Sequence, residues 1–220
     1  KVEDYKFCED LFKINKTKVW VNQWMSNEFQ KIKKYFPPEK KINLLVSGVN
    51  WGLCCNSVTF IDWFHSLINR EKMKINTIEL EDRVYKSKRA GYREIFGTYK
   101  IVSNNGHSLT LNCRNDRKNL EVDREINIDI TNSEFRIEAK LLPRQLKYVI
   151  KNCYKTTYLN EKIDISYQSE RTASIIESLV NFDTCNLVPY KTSAEHHLLV
   201  YGMFKNIFIA NGYDIKNGLP

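Results

Sequence analysis

The 220-residue sequence is poor in glycine, and the spacing of its glycines excludes a phosphate-cradling loop within this chain. It holds eight glycines, and none of them forms GxGxxG after a predicted strand. No GxxxxGKS or GxxxxGKT occurs either. These glycine-rich turns let a backbone approach a pyrophosphate at a helix N-terminus. We therefore expect this chain alone to bind no dinucleotide.

Cysteine and histidine are present, but they lack the grouping that a metal centre requires. The six cysteines contain no CxxC and have no His partner at zinc spacing, and the four histidines are dispersed. No Ser/His/Asp order with a nucleophile elbow is visible. We expect no metal site, and reduced thiols as found in cytoplasmic proteins.

Long apolar runs are also missing. The chain has no run of 18 apolar residues and no signal-peptide pattern, so we expect a cytoplasmic protein without membrane contact. A net charge of +8 permits nucleic-acid binding. The positive residues are scattered and no RNA or DNA motif surrounds them, so we interpret them as solvated surface and expect no nucleic-acid partner.

The periodicity of the remaining sequence predicts an α+β domain. Its architecture would be an open, mostly antiparallel sheet with helices on one face. Asn104-Asn105-Gly106 and Asn132-Ser133 are predicted turns between strands. Helices are predicted over 2–15, 29–36, from 56 onward, 169–182 and 192–211. Strands are predicted over 18–22, 42–49, 74–80, 94–103, 107–114, 120–131 and 134–142.

One apolar stretch, residues 47–64 (SGVNWGLCCNSVTFIDWF), carries polar residues at positions that composition does not explain. Asn56, Thr59 and Asp62 lie on a segment with helical spacing. They are either satisfied polar groups of a core helix or the floor of a substrate pocket. For Asp62 the structural role is favoured, whereas Trp51 suits both a core position and stacking on a sugar ring.

Residues 46–62, VSGVNWGLCCNSVTFID, resemble a signature of the Gfo/Idh/MocA oxidoreductases, in a branch associated with sugar and surface-polysaccharide metabolism. Supporting likenesses to the same family occur in order along nearly the whole chain. They are KVWVNQWMSNEFQKIKKYF, ISYQSERTASIIES, SAEHHLLVYGMF and the terminal NGLP.

This resemblance implies two domains, a Rossmann domain that binds NAD or NADP and a substrate domain that often forms the oligomer. Residues 1–24 would then be the tail of a Rossmann domain, and residues 25–220 would be the substrate-binding and oligomerisation domain. The family's Glu-Lys-Pro would lie just before residue 1. NAD or NADP would bind to the domain that this chain lacks, so the isolated chain would be inactive.

The resemblance also assigns site positions, with two departures. Members place an Asp and, four residues later, a His at the start of the long helix, and these positions are Cys55 and Thr59 here. A thiol and a hydroxyl do not replace that acid–base pair near neutral pH. The remaining expected substrate-binding residues are Asn22, Trp51, Asn56 and His197, with His196 as the alternative to His197.

Two functions follow from the resemblance, and they differ in class. The first is the substrate-binding domain of an NAD(P)-dependent oxidoreductase that acts on a sugar or sugar-derived hydroxyl. The second is a non-catalytic ligand-binding or oligomerising remnant of that family. In both cases we expect a sugar-like small-molecule ligand and a homo-oligomer formed through the sheet.

Overall fold

The computed structural model describes eight stretches of the chain. These are residues 1–22, 30–87, 90–116, 126–142, 145–152, 157–165, 168–183 and 185–215. The helices are α1 (Val2–Ile14), α2 (Gln30–Lys33), α3 (Leu53–Leu67), α4 (Gln168–Phe182) and α5 (Tyr190–Ala210). In this part of the chain, no helix combines the length and the apolar character needed to span a bilayer.

The strands alternate with turns as the sequence predicts. They are β1 (Trp20–Val21), β2 (Asn43–Val49), β3 (Met73–Leu80), β4 (Tyr85–Lys86), β5 (Arg93–Glu94), β6 (Gly97–Ser103), β7 (Ser108–Arg114), β8 (Ile126–Thr131), β9 (Phe135–Leu142), β10 (Gln145–Asn152), β11 (Thr157–Asp164) and β12 (Val188–Pro189). Within the described residues, eight of them form one open sheet in the order β11-β10-β9-β8-β2-β7-β6-β3.

The sheet is antiparallel except at its centre, where β2 and β7 run parallel. Parallel neighbours need a crossover, and α3 together with the β3–β6 hairpin forms the connection from β2 to β7. On β8, Ile128 and Ile130 are buried whereas Asp129 between them is more exposed. This alternation gives the sheet one dry face and confirms the predicted α+β architecture.

Helices α3 and α5 pack against each other on the dry side. Helix α3 buries nine of its residues, including Phe60 and Phe64, because it lies between α5 and the sheet. On α5, Phe204 reaches the sheet, where its ring meets Tyr99 edge-on at 6.2 Å between centroids. Burying each such aromatic side chain contributes about 1.5–3 kcal/mol, so this contact helps to hold α5 on the sheet.

The N-terminal segment is attached to the start of α5. Strands β1 and β12 pair antiparallel, with Val21 opposite Val188. On α1, the ring of Phe12 meets that of Tyr190 edge-on, with 5.0 Å between the ring centroids. The predicted boundary between residues 24 and 25 lies outside the described residues, as do the beginnings of the predicted helix 29–36 and strand 120–131.

Three sequence predictions need correction. Helix α3 begins at Leu53, not Asn56, because Gly52 adopts the N-cap position. The sheet does not end at residue 142, because β10 and β11 extend it with alternating apolar and polar residues. Helix α5 begins at Tyr190 and not at residue 192, because Pro189 occupies its N-cap position. The predicted end of that helix at residue 211 agrees with the observed end at Ala210, and the following Gly212 has a positive φ of 79°.

Candidate functional site

Helix α3 begins at a turn whose geometry requires glycine. Gly52 has φ of 85°, and a Cβ there would lie 3.0 Å from Nδ2 of Asn56. The backbone N–H of Cys54 donates to Oε1 of Glu94 at 2.6 Å, and Glu94 is buried. A protein carboxylate therefore caps the positive end of α3, and the β2–α3 turn does not offer that end to a cofactor phosphate.

Asn56 closes the same turn. Its Nδ2 donates to the carbonyl oxygen of Trp51 at 2.7 Å and to that of Gly52 at 3.2 Å. Both amide donor hydrogens are thus used by backbone groups of the turn. This arrangement favours the structural alternative for Asn56 over contact with a ligand.

The expectation that Trp51 stacks on a sugar is corrected by its burial. The side chain is 1% exposed, and its ring meets Phe60 edge-on at 5.5 Å between centroids. Its Nε1–H donates to the carbonyl oxygen of Asn112 at 2.8 Å. With one edge bonded to β7 and the faces packed in the core, the indole has no face open to a ligand.

Two of the predicted site residues, Cys55 and His197, come together in a cavity of about 400 Å³. This cavity lies between α1, the start of α3 and α5, and we call it the α1–α3–α5 cavity. Val58 and Phe204 form apolar walls, whereas Arg93 and several tyrosines contribute polar atoms, namely Tyr5, Tyr92 and Tyr201. Its volume and mixed lining are typical of a small-molecule site.

The polar groups of this cavity suit a ligand with hydroxyl groups. Nδ1 of His197 lies 2.8 Å from the carbonyl oxygen of Ser193 and therefore donates to it, which leaves Nε2 as the acceptor nitrogen of the neutral ring. Burial raises the pKa of Tyr5. Burial and the nearby Glu94 carboxylate raise the pKa of Cys54, so its thiol stays protonated. No carboxylate is found among the described residues that line the cavity.

The other predicted residues do not join them. Thr59 is half-buried one turn further along α3, and Asn22 is exposed after β1. Neither lines the α1–α3–α5 cavity or the polar cavity described below. The structure therefore does not bring Asn22, Trp51, Asn56 and Thr59 to a single wall, and ligand contacts of Asn22 and Thr59 stay predictions.

Asp62 is the centre of a buried polar network between α3 and α5. Its carboxylate accepts a hydrogen bond from Ser193 Oγ at 3.0 Å and pairs with Nδ1 of His196. Asp62 is 2% exposed and His196 is 5% exposed. The ring of His65 meets that of His196 edge-on at 4.7 Å. This confirms the expected structural role of Asp62, because its partners belong to the neighbouring helix.

A second cavity, of about 380 Å³, lies beside this network, and we call it the polar cavity. It is formed by the end of α3, by α2 and by the segment that leads into α5. Asp62 and His65 contribute to its lining, together with Lys33 and Arg70. The sequence did not single out these lining residues as a site, apart from Asp62. The signal was present, since Asp62, His65, Ser66 and Asn69 recur at helical spacing on an otherwise apolar segment.

Comparison with solved structures identifies the fold. A 3-ketoreductase from Actinomadura kijaniata, solved with TDP-benzene and NADP, matches with a TM-score of 0.60 and 10% identity over 90% of this chain and 64% of that chain. An oxidoreductase from Bacillus cereus matches with a TM-score of 0.57 and 10% identity over 95% and 68%. A UDP-N-acetylglucosamine 3-dehydrogenase from Acidithiobacillus ferrooxidans matches with a TM-score of 0.55 and 9% identity over 96% and 66%.

These matches are oxidoreductases of the Gfo/Idh/MocA type, so the fold that the sequence resemblance implied is confirmed. The chain spans about two thirds of the solved chains, from 64% to 69% of the first ones compared. No protein-family model matches the sequence, and no curated protein matches it.

Proposed function

We propose that this chain is the substrate-binding part of an NAD(P)-dependent oxidoreductase that acts on a sugar or a sugar-derived hydroxyl. The observation that carries the proposal is the fold likeness, which extends over 90% to 96% of the chain. One matched protein is named a UDP-N-acetylglucosamine 3-dehydrogenase, and another is named a 3-ketoreductase and was solved with TDP-benzene and NADP. The α1–α3–α5 cavity supports the proposal, because its phenols, imidazole and apolar walls suit a ring that carries hydroxyl groups.

The β2–α3 turn of this chain does not fit a nicotinamide dinucleotide. The β2–α3 turn lacks the glycine pattern of a dinucleotide site, and Glu94 already caps the helix that follows it. Any NAD or NADP would therefore bind to residues other than these, as the resemblance implies.

The non-catalytic alternative is favoured by two observations at the expected acid–base positions. Cys55 and Thr59 stand where a carboxylate and an imidazole would act, and neither side chain exchanges protons readily near pH 7 as an acid–base pair would. The described lining of the α1–α3–α5 cavity adds one histidine, His197, but no carboxylate. Both functions share a sugar-like ligand, and they differ in whether hydride transfer follows.

We also propose that the chain self-associates through the face of the sheet opposite α3 and α5. That face carries an ion-pair network in which Glu138 binds Lys151 at 2.6 Å and Arg136 at 3.2 Å. Leu45 is 39% exposed on the same face. A two-fold partner would cover this surface of the sheet.

The test is calorimetric titration of the chain with two nucleotide-linked sugars, UDP-N-acetylglucosamine and TDP-glucose, and separately with NADH and NADPH. Saturable binding of a nucleotide-linked sugar, with no low-micromolar binding of either dinucleotide, is the expected result. Low-micromolar NADH binding would overturn the assignment of the cofactor to residues outside this chain. The absence of binding by both sugars at millimolar concentration would overturn the substrate-binding role.

A further inference from the structure

We infer that the polar cavity is an anion-binding site that takes the phosphate or carboxylate group of a small molecule through Lys33 and Arg70. This goes beyond the proposed function and does not depend on it, because the residues that carry it lie outside the α1–α3–α5 cavity. The shared chemistry is a compact anion on a ligand small enough for about 380 Å³.

The first observation is the surplus of positive charge. Lys33 and Arg70 line the cavity, and Asp62 is the acidic residue of its described lining. The Asp62 carboxylate is occupied by Ser193 and His196 from α5. Neither Lys33 nor Arg70 forms an ion pair with another residue of the described part of the chain. By contrast, Lys40, Arg136 and Lys151 each pair with an acid.

The second observation is the backbone that holds Arg70. Asn69 and Arg70 follow α3 with φ of 51° and 60°, and the N–H of Arg70 donates to the carbonyl oxygen of His65 at 2.9 Å. A positive φ is easily adopted by glycine and tolerated by asparagine, but it is unfavourable for arginine. The turn requires a residue with left-handed backbone conformation at position 70. The chain nevertheless has arginine there, whose guanidinium has the best geometry for binding a phosphate or carboxylate.

The third observation is the state of the imidazole in the wall. Burial, followed by the neighbouring His196, lowers the pKa of His65 to about 4. The titratable or charged groups that face His65 are Asp62 on α3, His196 on α5, Arg70 after α3 and Lys33 on α2. At neutral pH the imidazole is therefore uncharged, and its hydrogen bond to the backbone of Arg70 joins the ring to the turn that carries the guanidinium. A bound anion would stabilise the protonated ring and raise its pKa.

The test replaces each of two basic residues that have a positive φ, Arg70 and Lys16, by glycine and compares ligand binding by the two variants. Arg70→Gly removes the positive side chain and relieves the backbone, so the variant should fold at least as stably as the parent chain. The control is Lys16→Gly, because Lys16 is an exposed cation with φ of 50° at the end of α1 and lies outside the polar cavity. Lys33→Gln serves as a second variant with no change to a strained backbone.

Binding is measured by calorimetry with inorganic phosphate, glucose 1-phosphate, glucuronate and glucose. An independent readout is the alkylation rate of Cys185, a half-buried thiol in the same cavity. We expect a charged ligand to bind, to slow Cys185 alkylation and to lose about tenfold or more in affinity in Arg70→Gly and Lys33→Gln. Lys16→Gly should bind within about twofold of the parent, since its charge lies elsewhere.

The ligand panel separates the sources of the anion and the two proposals. Tighter binding of glucose 1-phosphate than of glucuronate identifies a phosphate site, and the reverse order identifies a carboxylate site. Equal affinities in Arg70→Gly and the parent chain overturn the inference, as does the absence of binding by every charged ligand. If the charged ligands protect Cys55 but not Cys185, and their affinity is insensitive to Lys33 and Arg70, the anion site is overturned and the proposed function is left standing.

Discussion

Removal of the Asp62 carboxylate should destabilise the fold far more than removal of a carboxylate on the sheet surface. In Asp62→Ala, the hydroxyl of Ser193 and the Nδ1–H of His196 lose their acceptor. The site is buried, since the side chain of Asp62 is 0% exposed and that of His196 is 6% exposed. Each unsatisfied buried donor costs about 1–3 kcal/mol. Two of them give about 2–6 kcal/mol, which agrees with about 3–5 kcal/mol for breaking a buried charged pair.

The assay is urea unfolding followed by tryptophan fluorescence, with thermal melting as a second readout. For a chain of this length, a loss of about 3–5 kcal/mol corresponds to a fall in Tm of about 6–20 °C. Asp129→Ala is the matched control, because Asp129 pairs with Arg136 on the sheet, where the two side chains are 27% and 52% exposed. An exposed pair of this kind contributes about 0–1 kcal/mol.

One outcome of comparing Asp62→Ala with Asp129→Ala would contradict the prediction. If Asp62→Ala and Asp129→Ala lower the free energy of unfolding by amounts within about 1 kcal/mol of each other, the network does not hold α3 against α5. Asp62→Asn should lie between the parent and Asp62→Ala, because one amide oxygen can still accept a hydrogen bond while the amide nitrogen faces a donor.

Three further predictions follow from single residues or from the sheet. Gly97→Ala should lower the free energy of unfolding in urea by about 2 kcal/mol or more, because Gly97 has φ of 129° and a Cβ would lie 2.4 Å from the carbonyl oxygen of Glu79. Gly202 lies within α5, and a Cβ added there would meet no neighbouring atom within 4 Å. Gly202→Ala should therefore raise the free energy of unfolding by about 0.5–1 kcal/mol. Asn56→Ala should lower stability by about 1 kcal/mol through the lost turn bonds and leave ligand affinity within about twofold of the parent, and a selective loss of affinity would restore Asn56 to the ligand site. Sedimentation velocity should show a dimer or larger oligomer, and a monomer at high protein concentration would contradict association through the sheet.

The elements that the sequence predicted well are those whose pattern repeats over several residues. The alternation through Ile126, Ile128 and Ile130 and the Asn-Asn-Gly turn each specify local geometry directly. Strands β10 and β11 were missed although Leu146, Tyr148 and Ile150 alternate with polar residues. Their period-2 pattern includes several lysines and lies beyond the last predicted turn, so the pattern alone did not indicate that the sheet continued.

The candidate site was harder to predict, because it depends on which helix faces which. The periodicity placed Thr59 and Asn56 near Cys55 on α3, but it could not say that α5 would pack against the side that carries Asp62 and His65. The burial of Trp51 depends on an acceptor on β7, a strand about 60 residues further along the chain. Long-range contacts of this kind have no local signal in the sequence.

The central claim is that the α1–α3–α5 cavity holds a sugar-type ligand, and the thiol of Cys55 reports on it directly. Cys55 is exposed and lines this cavity, whereas Cys185 lines the polar cavity and Cys113 is buried. The measurement is the iodoacetamide alkylation rate of each cysteine, read by peptide mass spectrometry, with and without UDP-N-acetylglucosamine or TDP-glucose. The account predicts a saturable, several-fold slowing at Cys55 with at least one of these ligands, while Cys113 stays unreactive throughout. An unchanged Cys55 rate at saturating concentrations of both ligands would contradict it.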